Sequence, residues 1–217
     1  MRSLAILLNN QGKLKEAERL RREDFEALRK TYPEDDPKVL QARVFLGGVL
    51  RKLNRLDEAI ENYSLPAKLG DIRAIKDLFE TYQRAERPNE IVQAAPEFAA
   101  KQRELYQAKP DMAAAGLRII ARALNRIDAF QAAEPYARES LDLATKAGIN
   151  DWRLARIQST LGTTILGLGQ IDEATRLLKS SYEQLQAIAD KIPSDVRDET
   201  LSEAKAAGEK LELRSKN

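Results

Sequence analysis

Apolar residues recur along this chain in two-helix blocks, each block a pair of helical stripes joined by a short polar turn. The clearest copies read LAILLNNQGKLKEAERL from Leu4, FLGGVLRKLNRLDEAIENY from Phe45, IIARALNRIDAFQAAEPYA from Ile119 and TLGTTILGLGQIDEATRLL from Thr160. Aligned on the second-helix alanines Ala17, Ala59, Ala133 and Ala174, they lie 42, 74 and 41 residues apart. A weaker copy fits the long gap with Ile91 in the alanine position. A single helix pair of this kind cannot bury its own apolar face, so neighbouring pairs must stack. The pattern predicts an all-α array of about five helix pairs over residues 1–190, at about 1–33, 37–69, 71–108, 111–147 and 151–190. A final amphipathic helix is predicted over 194–214, as a cap whose inner face is Val196, Leu201, Ala204, Gly208 and Leu211.

Small side chains mark where helices must touch. First helices carry Ala5, Gly47, Ala121 and Gly162 opposite the second-helix alanines. Axes only about 8–10 Å apart leave room for nothing larger at the crossing. Leu4 and Leu8, Leu46 and Leu50, Ile120 and Leu124, and Leu161 and Ile165 flank these positions at helical spacing. The turn carries Gly12, Asn54 and Gly169, which tolerate the left-handed conformation that ends a helix. Glu86 and Asp128 hold the same place in the other two copies and fit it less well.

Irregularities carry their own expectations. Pro66 should stop or kink its helix near Leu65, because an interior proline removes a hydrogen bond and clashes with the preceding turn. Pro96 is a second expected kink. Phe79, Ile91 and Phe98 replace small residues in the weak copy, Asp71 to Ala108, so its helices are expected to stand farther apart and the array to bend or loosen there. Asp36, Asp71, Asp111 and either Asn150 or Asp151 are candidate helix N-caps, with Pro37 in a first turn. Met1 falls inside the first helix with no cap before it. That bare start reads as an incomplete or amino-terminally extended native protein, the alternative being a chain that begins abruptly.

The small, apolar and Gly/Ala positions resemble the tetratricopeptide repeat (TPR) pattern. The long period, with phrases such as NNQGKLKEAERL and AAEPYARESLDL, is similar to the subfamily found in kinesin light chains. DWRLARIQSTLGTTILGLGQIDEATRLLKSSYEQL resembles a segment near the end of large bacterial Ser/Thr protein kinases, where repeats follow the kinase domain. The resemblance spans residues 1 to about 190 and implies a right-handed superhelix that binds other proteins. No Gly-rich loop with a lysine strand, no HRD-type loop and no DFG occurs here, so any catalytic domain of such a kinase lies outside this sequence.

Composition narrows the chemistry. Ala, Leu, Glu, Lys, Arg and Gln dominate, which suits helices. The chain has 36 basic and 34 acidic residues, a net charge of +2, and neither cysteine nor histidine. Disulfides, zinc-thiolate sites and thiol catalysis are excluded, and the side chain best suited to proton transfer near neutral pH is missing. Asp57-Glu58 and Asp172-Glu173 sit at equivalent second-helix starts, where carboxylates favour the helix dipole. We expect no enzyme, no cofactor and no metal. No apolar run reaches the roughly 18 residues a membrane span needs. The start MRSLAILLNN has Arg2 before a short apolar stretch, but it lacks a small-residue cleavage site and its Leu4, Ala5 and Leu8 fit the repeat. A cytoplasmic protein is expected.

In the architecture the resemblance implies, first helices line a concave groove. Projecting that rule on the middle copies selects Arg51, Lys52, Arg73, Lys76, Arg84, Arg118, Arg122, Asn125 and Arg126 as peptide-binding residues, with Asp77 and Glu80 as the acidic exceptions. Such a basic stripe would attract carboxylates or phosphates and steer an acidic or phosphorylated protein segment into register. Asn9, Asn10 and Asn125 could add hydrogen bonds to a peptide backbone. In the last copy Ser159, Thr160, Thr163 and Leu166 break the stripe. The bland reading of the same charges is a solvated helix face. Trp152 reads as a staple at a helix start, and the tyrosines as core or rim. Nucleic acid is not expected, because stacking aromatics and strong net charge are both lacking. The alternative to groove binding is a structural array that packs on another domain or self-associates through its first repeat.

Overall fold

The computed structural model describes residues 2–215; Met1, on which the reading of a bare start turned, lies outside the described residues. Eleven α-helices and no strand occur among the described residues. Clustering of the backbone divides the chain into two compact units, residues 1–101 and 102–217. The division falls within the helix Pro88–Leu105.

In the first unit, α1 (Arg2–Asn10) pairs with α2 (Leu14–Arg29) and α3 (Pro37–Lys52) with α4 (Leu56–Lys68), while α5 (Ile72–Arg84) leads into α6 (Pro88–Leu105). Each of α1 to α4 packs on the next helix in the chain. In the second unit, α7 (Pro110–Asn125) pairs with α8 (Phe130–Lys146) and α9 (Trp152–Gly167) with α10 (Ile171–Ala187). A short 3₁₀ turn at Ala189–Lys191 precedes α11 (Ser194–Ser215), which packs on α10 and α9.

The small positions are the tightest points of the packing. Ala17, Ala59, Ala133 and Ala174 are fully buried, as is Ile91. A Cβ at Gly47 would stand 2.9 Å from the Tyr63 ring, and one at Gly162 would stand 2.7 Å from Leu178 Cδ2. Burial pushes the Tyr63 phenol above its ordinary range. Phe79, Ile91 and Phe98 are buried too, the two rings 5.6 Å apart between α5 and α6. Bulk there fills the interhelix space that small residues close in the other copies.

All five turn residues adopt the left-handed conformation: Gly12, Asn54, Glu86, Asp128 and Gly169 have φ of 75°, 60°, 57°, 56° and 80°. At Glu86 and Asp128 the fold imposes on an L side chain a conformation that costs roughly 1–3 kcal/mol. Asp36, Asp71 and Asp151 cap α3, α5 and α9, each accepting a backbone N–H at 2.8 Å. Asp111 does not cap: Pro110 takes the first helical position, which moves Asp111 into the first turn.

The helices do not stop at their interior prolines. Pro66 is buried inside α4, which runs on to Lys68 before turning at Gly70. α6 continues past Pro96, and α8 past Pro135, which the sequence reading passed over. The inner face of α11 is Thr200, Ala204, Ala207 and Leu211, with Val196, Leu201 and Gly208 only partly covered. Ala207 rather than Gly208 completes the heptad-spaced stripe.

Candidate functional site

In the first unit α3 lies beside α5 and in the second α7 lies beside α9, and the basic residues of these first helices meet different surroundings. In the first unit Arg51 on α3 donates to Glu80 Oε2 at 2.7 Å and to Asp77 Oδ1 at 3.0 Å, both on α5. Arg73 stands 3.9 Å from Asp77, and Lys76 3.9 Å from Glu80. Arg73 and Arg21 also lie over the Phe45 ring, 5.4 and 4.6 Å from its centroid. Burial holds the Asp77 carboxyl above its ordinary range in spite of Arg51. Burial also acts to lower Arg51, but the Glu80 hydrogen bond and the nearby acidic groups raise it overall. Lys52 Nζ donates to Asn9 Oδ1 at 2.9 Å, and Arg84 reaches Asn54 Oδ1 at 3.4 Å. Asn10 is exposed. Within the stripe of this unit Asp77 and Glu80 thus partly offset Arg51, Arg73 and Lys76.

In the second unit the carboxylates come from the end of the chain. Arg122 on α7, 7% exposed, donates from Nη2 to Glu199 Oε1 at 2.5 Å and from Nε to Glu203. Arg126 donates to Glu203 Oε1 at 3.1 Å, and Arg156 on α9 stands 3.8 Å from Glu199 Oε2. Glu199 and Glu203 are one turn apart on α11. Arg118 has no ion-pair partner among the described residues, and its Nη1 is buried without a hydrogen bond. Desolvation and the charges of Arg156 and Arg122 lower Arg118 to about 9, which leaves it charged at neutral pH. Arg156, 9% exposed, is lowered chiefly by desolvation, and its Nε is likewise buried and unpartnered.

Asn125 is 6% exposed and joins α7 to α9: its Nδ2 donates to the Thr160 carbonyl at 3.1 Å, and its Oδ1 accepts from Thr164 Oγ1 at 3.0 Å. A cavity of about 180 Å³ remains between α7, α9 and α11, with Arg156, Ser159, Thr163, Glu203 and Lys210 in its wall. Trp152 is partly buried against Leu185, Ile192 and Ala204 at the start of α9.

Of the nine residues projected on the groove, Arg51, Arg73 and Lys76 come together within the first unit, and Arg118, Arg122, Asn125 and Arg126 within the second. Lys52 and Arg84, also in the first unit, reach Asn9 and Asn54 instead. The sequence reading missed Arg156, Glu199 and Glu203. The i, i+4 spacing of the two glutamates on an amphipathic helix was the available signal; their destination was not. Among the described residues no group of three or more acidic side chains could hold a metal ion, and no helix is long and apolar enough to cross a membrane.

These stacked helix pairs define an all-α repeat fold. Residues 1–38 match the tetratricopeptide repeat family. Among solved structures the fold is similar to the nearly identical TPR-like repeats ascribed to a kinesin light chain of Podosopora anserina. That match has 20% identity and a TM-score of 0.64, covering 88% of this chain and 94% of the other. A singly substituted form of those repeats gives 18% identity and a TM-score of 0.66, covering 84% and 92%. BtubC (BKLC) from P. vanneervenii gives 15% identity and a TM-score of 0.69, covering 88% and 80%. No curated protein sequence matches significantly. The fold is similar to that of these kinesin-light-chain-like TPR repeats.

Proposed function

We propose that the chain is a protein-interaction module that receives an acidic or phosphorylated segment of a partner on the face formed by its first helices. The observation that carries this reading is the cluster of Arg118, Arg122, Arg126 and Arg156 on α7 and α9. It already holds two carboxylates and still has an unpaired guanidinium in Arg118. Desolvated arginines bind carboxylate and phosphate through charge-assisted, forked hydrogen bonds, and a cationic face accelerates encounter with an acidic chain. The mechanism is positioning of a partner without chemistry on it. The resemblance of the last repeat to segments of bacterial Ser/Thr kinases makes docking in a bacterial signalling protein the working context, and a cysteine-free chain suits a reducing cytoplasm.

Fluorescence anisotropy with acidic peptides, with and without a phosphoserine, tests the reading. Binding should weaken at least tenfold in Arg118→Glu and fall steeply with added salt. Undiminished binding in that variant would remove the site from this face. A second reading, self-association, draws on Leu4, Ile6 and Leu7 of α1, which are each about half exposed (50%, 49% and 52%). Exposed apolar side chains in one short helix suit a contact between copies. Concentration-dependent dimers that persist in high salt and vanish in Ile6→Glu would support it.

A further inference from the structure

We infer that α11 is the ligand this face already carries, and that a partner binds by replacing it with a helix of the same kind: acidic, with two carboxylates one turn apart. The inference rests on the reading above that the α7–α9 face receives acidic segments, and it adds the form of the partner and the control of access. Glu199 and Glu203 hold Arg122 and Arg126 of α7 across sequence separations of 77 and 81 residues, and Glu199 reaches Arg156 of α9 as well. Their spacing puts both carboxylates on one side of α11. A partner helix with Glu at i and i+4 presents the same two charges at the same separation, whereas an extended strand would spread them beyond reach of one guanidinium.

The rest of α11 is held by apolar contacts of modest size. Its fully buried positions are Thr200, Ala204, Ala207 and Leu211, and Val196 and Leu201 pack partly buried beside Ile192 and Ala204. Small and half-buried side chains bury limited area, so the arginine contacts add to the hold on this helix. At its start Arg197 donates to the Ile192 and Asp190 carbonyls, which anchors the first turn to the preceding 3₁₀ segment. The helix can leave the arginines without leaving the chain. A tethered occupant of this sort competes at a high effective concentration and lowers the apparent affinity for a free ligand by the fraction of time the face is covered.

The test uses the full chain as wild type and as Glu199→Gln with Glu203→Gln, a change that keeps side-chain size and helix propensity. Two labelled probes are titrated: the peptide of residues 194–215, and an unrelated designed helical peptide whose only acidic residues are a Glu pair at i, i+4. Both should bind the double variant at least tenfold more tightly than wild type, and amide exchange across 200–211 should quicken in the variant. A Gln-for-Glu form of either peptide should not bind. Equal affinity of the designed peptide for both proteins would overturn the inference and leave the proposed function standing. Binding of the 194–215 peptide alone would keep α11 as the resident ligand and remove the diffusible acidic partner. Binding of neither peptide to either protein would overturn both. If the Gln variant melts without cooperativity, Glu199→Lys alone, which repels Arg122, replaces it with the same expected order of affinities.

Discussion

The second helices of the two units use one arrangement twice, and the first helices use two different ones. Five residues after Ala17, Arg22 pairs with Glu18 on its own helix and with Glu58, the residue before Ala59 in the next copy. Five residues after Ala133, Arg138 pairs in the same way with Glu134 and with Glu173, the residue before Ala174. Here repetition of sequence gives repetition of contact. On the first helices the rule fails. Arg51 and Asn125 both lie eight residues before their reference alanine, yet Arg51 is a hub for Asp77 and Glu80 while Asn125 is a buried clamp between α7 and α9. Charge on the first unit's face is settled between neighbouring helices of the array. On the second it is settled by α11, a helix that follows the repeats.

The largest effects expected from breaking this contrast are at Arg122 and Asn125. Arg122→Ala removes the most buried partner of Glu199 and Glu203, which keep Arg156 and Arg126, and the loss of its charge-assisted hydrogen bonds should cost about 2 kcal/mol. Urea denaturation should show the loss, and amide exchange should place it in α11 before any other helix. Asn125→Ala should cost about 2 kcal/mol by leaving a buried carbonyl and hydroxyl less well satisfied. That loss should be insensitive to salt, in contrast with Arg122→Ala.

Arg51→Ala should cost about 1 kcal/mol at pH 7, because Asp77 and Glu80 retain Arg73 and Lys76 nearby, and α11 should be undisturbed. Its pH dependence has a definite sign. Asp77 is already raised by burial, and losing Arg51 raises it further. The native state then binds more protons than the unfolded chain between the two pKa values, so the penalty is full above the folded value and disappears as pH falls below the unfolded one. Thermal melts of the variant and wild type from pH 7 to pH 3 should therefore converge.

The smallest effects belong to the shared outer contacts. Glu58→Gln and Glu173→Gln should each cost about 0.5 kcal/mol, and by similar amounts, as befits half-exposed pairs. Hydrogen bonds from Arg55 and Arg138 respectively hold these two carboxyls below their ordinary range. Their contribution is present above the unfolded value of about 4.3 and lost as pH falls through the lowered one. Unequal losses at neutral pH would show that the two outer contacts are not equivalent.

Much of this was legible from local chemistry. Spacing of small and apolar residues identified the helix pairs, and three aspartates in four proved to be caps because capping depends on neighbours two or three residues away. Asp111 was misplaced by two positions, since Lys109 stands at the N-cap and Pro110 is the first helical residue. Pro66 was expected to stop or kink α4 near Leu65, and the helix runs on to Lys68. Burial of Phe79 and Phe98 against one another likewise depends on a pairing that the bulk of each residue does not announce.

What the sequence by itself determined is the repeat: helix periods, close-contact alanines, turns and outer ion pairs all follow from residues within about one copy of each other. Tertiary structure alone decided which basic residues are balanced and by what. Arg51 and Arg122 read alike as exposed cations on first helices. The partners of Arg51 lie 26 and 29 residues away on the adjoining pair, and those of Arg122 lie 77 and 81 away. Charge attraction has no sequence period, so only the path of the folded chain brings α11 to the arginines.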